Sequence, residues 1–282
     1  MFGRTKKKRS SNRGGKLFSY HPMIFAVPSK NQIAAAFSAK AKGYRSGAFI
    51  QNQILCRLVP LVETAGLFRL PWLDAGSGAG SLGDLWKKKK VHVKLVGTDL
   101  AFAMLRLVRG TRINGSPAVQ SDIEAMPFSS CRFGGVVAAS VLQWLPRPDL
   151  GLREIHRVLS PGGVMVFSVF LKGSFCQIFS LRQDRNLGIP LRLQSKDGFA
   201  GQVRAMRFSS LRLATFEEEY YFHSAFGVMK YLSGIGSNAV SGRRLLRKEI
   251  LALCRDYEER FATAQGVPLT VRIAYGTATK VL

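Results

Sequence analysis

The sequence predicts an α/β domain with a mostly parallel sheet and helices on both faces, and three observations predict it. The run Leu73-Asp74-Ala75-Gly76-Ser77-Gly78-Ala79-Gly80 is an apolar strand that ends in an acid and a tight glycine turn. A second strand-like stretch closes on Asp99, roughly 20 residues past the glycines, where nucleotide-binding α/β folds place an acid on ribose hydroxyls. Strand-like and helix-like stretches then alternate as far as Phe170, the rhythm of a parallel sheet joined by crossover helices.

The elements follow in order. From Asn31 to Val62, apolar residues recur at helical spacing (Ile33, Ala36 and Phe37, then Ile50, Ile54 and Leu58). Interruptions at Gly43 and Gly47 predict two helices there, ahead of a first strand at Phe68 to Asp74. Ser81 to Trp86 continues the glycine turn as a helix, Val91 to Asp99 is a strand, and Ala101 to Arg109 is helical again. A short apolar run leads to Asp122-Ile123-Glu124, and Gly134 to Ser140 reads as a buried parallel strand. Asp149 to Leu159 is an amphipathic helix with Leu150, Leu152, Ile155, Val158 and Leu159 inward, and Val164 to Phe170 is the fifth strand. Beyond Phe170 the rhythm breaks. Leu171 to Leu213 is polar and basic, and an insertion there sits above the carboxyl edge of the sheet, as a substrate lid would. Thr215 to Phe222 reads as a strand, Ala225 to Leu232 as a helix and Leu269 to Thr279 as the last strand.

The glycine turn constrains the ligand. Gly76, Gly78 and Gly80 let the backbone approach a ligand without a Cβ in the way, at the start of a helix whose amides can face a carboxylate. A phosphate-binding P-loop needs Lys-Ser or Lys-Thr after the glycines, whereas Ser81-Leu82 stands here. The dinucleotide fingerprint fails as well, because Ser81 occupies the place of its third glycine. The order Asp74, glycines, Asp99, Asp122 and Pro161-Gly162-Gly163 resembles the class I S-adenosylmethionine-dependent methyltransferases.

Composition narrows the class further. The chain has 282 residues, 46% hydrophobic, enough for one catalytic domain with a sizeable core. No uninterrupted apolar stretch reaches the roughly 18 residues of a membrane span. Cys56, Cys131, Cys176 and Cys254 are scattered, which argues against a zinc site or a disulfide framework and for reduced thiols in the cytoplasm. No metal is expected. Lys and Arg number 42 against 17 Asp and Glu, a net charge of +25. Residues 1–30 read as a basic disordered arm, and Met1 to Lys16 holds Arg4, Lys6, Lys7, Lys8, Arg9, Arg13 and Lys16 without an acid. The remainder is basic too, so the body suits an acidic partner, whether a protein, a nucleic acid or an anionic surface.

Several segments resemble one family, the malonyl-acyl-carrier-protein O-methyltransferases of biotin synthesis. They are Asp122-Ile123-Glu124-Ala125-Met126-Pro127-Phe128, Ser140-Val141-Leu142-Gln143-Trp144 and Glu154 to Gly163. Ala36-Phe37 through Tyr44 to Gln51, Leu232 to Asn238, Gly242-Arg243-Arg244 and Pro268-Leu269-Thr270 add to them. The resemblance runs from Asn31 to Lys280 and implies a Rossmann-like, seven-stranded methyltransferase domain over 31–282, with lid segments near 171–213 and 233–245. It implies S-adenosylmethionine as cofactor and methylation of the free carboxylate of a malonyl thioester on an acidic carrier protein. Asp74, Gly76, Ser77, Gly78 and Gly80 would shape the methionine end of the pocket, with Asp74 toward the amino group. Asp99 would accept from the ribose hydroxyls, Leu100 and Ile123 would pack on the adenine, and Asp122 would accept from its amino group. Tyr44 and Gln51 would close the methyl pocket, with Gln143 and Trp144 facing the transferred methyl. Arg243 is the leading candidate for the malonyl carboxylate and Arg244 its rival. A carboxylate is already ionised at neutral pH and needs no general base. The alternatives are another small-molecule carboxyl or O-methyltransferase and a nucleic-acid methyltransferase, the latter favoured by charge. Against the nucleic-acid reading, Ser140-Val141-Leu142-Gln143 lacks the Asn/Asp-Pro-Pro-aromatic motif of amino-group enzymes.

Overall fold

The structure, a computed structural model, describes residues 28–66, 69–108, 117–185, 187, 191, 193–236 and 245–281. The basic arm, but for Pro28, Ser29 and Lys30, lies outside them. Two helices, α1 (Lys30–Gly47) and α2 (Phe49–Ala65), precede β1 (Trp72–Ala75). The chain continues through α3 (Ser81–Lys88), β2 (Leu95–Asp99), α4 (Phe102–Val108), β3 (Ala118–Gln120) and β4 (Phe133–Ala139). Next come α5 (Pro148–Val158), β5 (Leu159–Phe170), a short strand β6 (Lys172–Phe175), α6 (Cys176–Asp184) and α7 (Lys196–Ala205). The last elements are β7 (Phe208–Phe222), α8 (Ala225–Gly234), α9 (Arg247–Phe261) and β8 (Val267–Lys280).

Among the described residues the sheet has seven strands in the order β3-β2-β1-β4-β5-β8-β7. Strands β1 to β5 are mutually parallel, β8 runs antiparallel to both β5 and β7, and β6 lies outside the sheet. Each face carries its own core. On one, Ile50, Leu58, Trp86, Val228, Leu253 and Tyr257 close over Trp72, Val166 and Leu269. On the other, Leu152, Ile155, Phe199 and Val203 pack on Leu73, Val136 and Phe167. Burial of such side chains contributes about 1.5–3 kcal/mol each. The period-2 and period-3.6 patterns are thus stabilised on both sides of one sheet.

Several boundaries differ from the sequence expectation: β5 starts at Leu159 rather than Val164, β7 at Phe208 rather than Thr215 and β8 at Val267 rather than Leu269. Strand β1 starts at Trp72 rather than Phe68, which lies outside the described residues. Strand β2 starts at Leu95 rather than Val91, because α3 runs on to Lys88 and unwinds through Lys90 at φ 57°, with the Val91 amide bonded back to the Trp86 carbonyl. The stretch 171–213, expected as a lid, is anchored in the core at several points. Phe175, Ile178, Leu181, Phe199 and Val203 are buried, α6 packs against α9, and residues from Phe208 onward pair with β8. Helix α9 has no counterpart among the sequence expectations: it buries only Leu253 and Tyr257, a stripe too thin for periodicity to reveal. No helix among the described residues is long and apolar enough to cross a membrane, and none of their side chains cluster as metal ligands.

Candidate functional site

A cleft of about 710 Å³ opens at the carboxyl ends of β1, β2 and β4, at the switch point of the strand order where open α/β sheets bind ligands. Its walls include Gly76 and Gly78 from the turn after β1, Asp99 and Leu100 after β2, Asp122 and Ile123 after β3, and Ser140, Val141 and Trp144 after β4. Helix α1 covers it with Lys30, Ile33, Phe37 and Tyr44. Four local sequence signals, far apart in the chain, therefore meet in one place.

The glycine turn is held from three sides. The Ser77 amide donates to the Thr98 carbonyl (2.7 Å), and the Gly78 amide donates to Asp99 Oδ2 (2.9 Å). The second Asp99 oxygen accepts from the Ala101 amide (2.8 Å), so one carboxylate ties the turn to the start of α4. From above, Arg45 Nη2 donates to the Ala79 carbonyl (2.7 Å) and pairs with Asp84 (3.1 Å). Burial raises the Asp99 pKa, while the two amides pull it down. Each Asp99 oxygen spends one lone pair on the backbone and keeps another for a ligand hydroxyl.

Asp74, Ser77 and Gly80 stand behind this wall rather than on it: the cleft is lined by Gly76 and Gly78, while Asp74 is buried at the end of β1. Gly80 is the left-handed N-cap of α3, and Ser77 Oγ is buried with no partner among the described residues. Burial, reinforced by the Asp99 charge, pushes the Asp74 carboxyl up to about 7 from 3.8. Between those two values the fold retains a proton that the unfolded chain has released. Stability therefore falls as pH rises from about 4 to 7, and Asp74→Asn, which cannot ionise, escapes that loss. The melting temperature of Asp74→Asn relative to the parent should rise by several degrees between pH 5 and pH 8. Parallel melting curves across that range would refute the assignment.

The third-strand acids carry an unexpected partner. Lys30 Nζ bridges Asp122 Oδ2 (2.5 Å) and Glu124 Oε2 (2.6 Å), latching the first turn of α1 to the loop after β3. Glu124 also accepts from the Arg147 amide (2.6 Å), and Asp122 Oδ1 from the Glu124 amide (2.9 Å). The two acids, Asp122 first, raise the Lys30 pKa. Asp122 and Ile123 line the cleft, and Asp122 already accepts from a cation. Lys30, 92 residues away in sequence, gave no local signal. The Glu154 to Arg157 motif is structural: the Arg157 guanidinium grips Glu154 and the Met126 and Phe128 carbonyls, fixing the loop behind Ile123.

A second, smaller compartment of about 320 Å³ adjoins the cleft and shares Phe37, Tyr44, Ser140 and Trp144 with it. Gln51, Gln143, Phe170, Phe175, Leu191 and Ile235 complete its lining. Phe37 stands edge-on to Trp144 (5.3 Å between centroids) and to Tyr44 (6.2 Å). Tyr44 and Gln51 belong to different helices, since α1 ends at Gly47, yet both reach this space. Tyr231 on α8, 180 residues from Gln51, donates its hydroxyl to Gln51 Oε1 (3.1 Å), which leaves the Gln51 amide NH₂ as a donor. Gln143 Nε2 donates to the carbonyl of Ser140, a residue at φ 53°, and Gln143 Oε1 is buried without a partner among the described residues. Burial first, and then the Asp99 charge, raises the Tyr44 pKa, so its phenol stays protonated. Arg243 and Arg244 lie outside the described residues.

Residues 73–167 match a family described as a methyltransferase domain. The chain is 31% identical to a malonyl-acyl-carrier-protein O-methyltransferase of Haemophilus ducreyi over 251 residues, covering 86% of this chain and 93% of that protein. The enzyme of the same name from Geobacter sulfurreducens is 26% identical over 265 residues, covering 89% of this chain and 99% of its own length. Among solved structures, the YcgJ protein of Bacillus subtilis superposes with a TM-score of 0.58 at 15% identity over 80% of this chain and 98% of that one, a likeness of fold. With the cleft at the switch point, the glycine turn and Asp99 in one place, and these relatives aligned over most of their length, the chain belongs to the malonyl-acyl-carrier-protein O-methyltransferase family.

Proposed function

We propose that this protein takes S-adenosylmethionine in the larger cleft and methylates the free carboxylate of a malonyl thioester presented by an acyl-carrier protein. The observation that carries the reading is chemical. Among the described residues lining the small compartment there is no Asp, Glu, His, Lys or Arg, and its one phenol is held protonated. No described side chain there can take a proton at neutral pH, so the acceptor must arrive already ionised. A carboxylate, with an ordinary pKa near 4, does so, whereas an alcohol or an amine would need a base.

The larger cleft fits the donor. Asp99 keeps free lone pairs for a diol, Leu100 and Ile123 give an apolar wall for a flat ring, and Gly78 presents no side chain. When bound, S-adenosylmethionine supplies a methyl group activated by a sulfonium. The chain's own residues bind and orient. Tyr44 and the Gln51 amide are neutral donors suited to steadying a carboxylate without neutralising it, which preserves its nucleophilicity better than a bidentate arginine would. Phe37 and Trp144 wall the junction between the two spaces and exclude water, so the gain is one of proximity and desolvation.

The direct test is transfer of labelled methyl from S-adenosylmethionine to malonyl-carrier protein, run beside malonyl-coenzyme A and total RNA. Base-labile label on the malonyl thioester, as a carboxyl methyl ester, supports the reading. Label on RNA alone would overturn it and give the basic surface another meaning.

A further inference from the structure

One surface feature lies outside both compartments. Phe226 on α8, at 60% exposure, faces Leu246 and Leu251 at the start of α9, at 55% and 57%, and with Leu245, Ile250 and Arg247 they line an open apolar groove. Exposed large apolar side chains gathered in one groove mark an interaction surface more often than scattered ones do. Arg247 lines it, Lys248 is the next residue and Lys230 lies one helical turn past Phe226 on α8; all three are exposed and none forms an ion pair among the described residues, while the nearby Glu249 accepts from the Leu246 amide. An apolar floor with a rim of three cations against one acid, Glu249, fits a partner that is acidic around an apolar ridge.

The groove is tied to the acceptor compartment by one helix. Phe226 is in the first turn of α8, Tyr231 in the same helix orients Gln51, and Ile235 just past its end lines the small compartment. Nine residues of helical rise separate Phe226 from Ile235, roughly 13 Å. A partner seated on the groove would stand a short way from the place its acyl group must reach.

We propose that the groove between α8 and α9, with Lys230, Arg247 and Lys248, is where the acidic carrier protein docks while its prosthetic arm delivers the malonyl thioester to the Gln51 side of the site. The proposal rests on the function proposed above and names the surface that serves it. It locates the electrostatic attraction on two helices, not on the chain's overall charge, and predicts an association rate that falls with salt.

The test separates docking from chemistry by using two acceptors, malonyl-carrier protein and malonyl-pantetheine, which carries the same thioester without the protein. In the full-length enzyme, the double variant Arg247→Glu/Lys248→Glu and the single variant Leu251→Ser should each raise KM for malonyl-carrier at least tenfold. The kcat and KM for malonyl-pantetheine should stay within twofold, and binding of fluorescent malonyl-carrier should weaken in parallel. An unchanged carrier KM in both variants overturns the docking surface and leaves the activity standing. So does an equal loss on both acceptors, or a parent enzyme that is a dimer in solution and becomes monomeric in the variants. If the parent methylates neither acceptor and binds no carrier, both readings fall together.

Discussion

Asp99→Ala is expected to lower kcat/KM by about 10²–10⁴-fold and to abolish measurable binding of S-adenosylhomocysteine. The carboxylate accepts from the Gly78 amide at 2.9 Å and the Ala101 amide at 2.8 Å, so it joins the glycine turn to the start of α4. Removing it leaves two enclosed N–H groups without an acceptor, at about 1–3 kcal/mol each, besides the charged acceptor offered to the ligand. The loss of the ligand's acceptor and the slackening of a turn that two N–H groups no longer hold together account for the expected fall, 10²–10⁴-fold being about 3–5 kcal/mol. Asp99→Asn sharpens the case. One amide oxygen can still serve one backbone N–H, while the NH₂ is forced toward the other, so the asparagine should fall between alanine and the parent. Calorimetric titration with S-adenosylhomocysteine reads the binding side directly. A dissociation constant within threefold of the parent's for Asp99→Ala would show that the turn stands without it.

The contrast between this residue and others in the site shows what the sequence could carry. Asp74, the glycines and Asp99 lie within one strand-turn-helix-strand unit, and their spacing is dictated by local geometry. Reading them required no knowledge of distant residues. Asp122 and Ile123, after β3, and Gln143 and Trp144, after β4, take their expected roles from the family resemblance, and they too follow strand ends that the sequence marks. Lys30 and Tyr231 were not. Lys30 reaches Asp122 across 92 residues and Tyr231 reaches Gln51 across 180, and neither pairing leaves a periodic trace. Tyr231 reads in sequence as one more apolar position of a helix, and the helix does bury it. Only the fold shows that its hydroxyl sets the direction of a site amide.

The stretch 171–213 illustrates a second limit. Polar and basic residues dominate it, so composition points to a surface insertion, yet Phe175, Ile178, Leu181, Phe199 and Val203 each find a place in the core. Few anchors suffice when the sheet and α9 already present an apolar surface. Phe175 and Leu191 also line the small compartment, so this segment forms part of its wall as well as part of the core. The function of such a segment depends on where its few apolar residues land, which average polarity does not encode.

Two glycines of the same turn, Gly76 and Gly78, should part company on substitution. Gly76 has φ +76°, and a Cβ there would lie 2.5 Å from Val141 Cγ2 and 2.9 Å from Val141 Cβ. Val141 is β-branched and follows the strained Ser140, so it cannot rotate its bulk away, and either the turn after β1 or the turn after β4 has to move. The left-handed backbone costs a non-glycine residue about 1–2 kcal/mol, and the forced overlap costs a further 1–3 kcal/mol or so. Gly76→Ala should therefore melt roughly 5–15 °C below the parent and lose methyl transfer with it. Gly78 has φ +52°, and its Cβ would rest 3.6 Å from Tyr44 Cε1, an ordinary contact. Gly78→Ala should melt only a few degrees lower, keep its circular dichroism spectrum, and bind S-adenosylhomocysteine at least tenfold more weakly, because the new methyl stands on the cleft wall beneath Tyr44. Paired thermal melts and titrations of the two variants decide the matter. Equal losses of melting temperature would mean that Val141 yields, and that the two turns are less tightly fitted than their separation indicates.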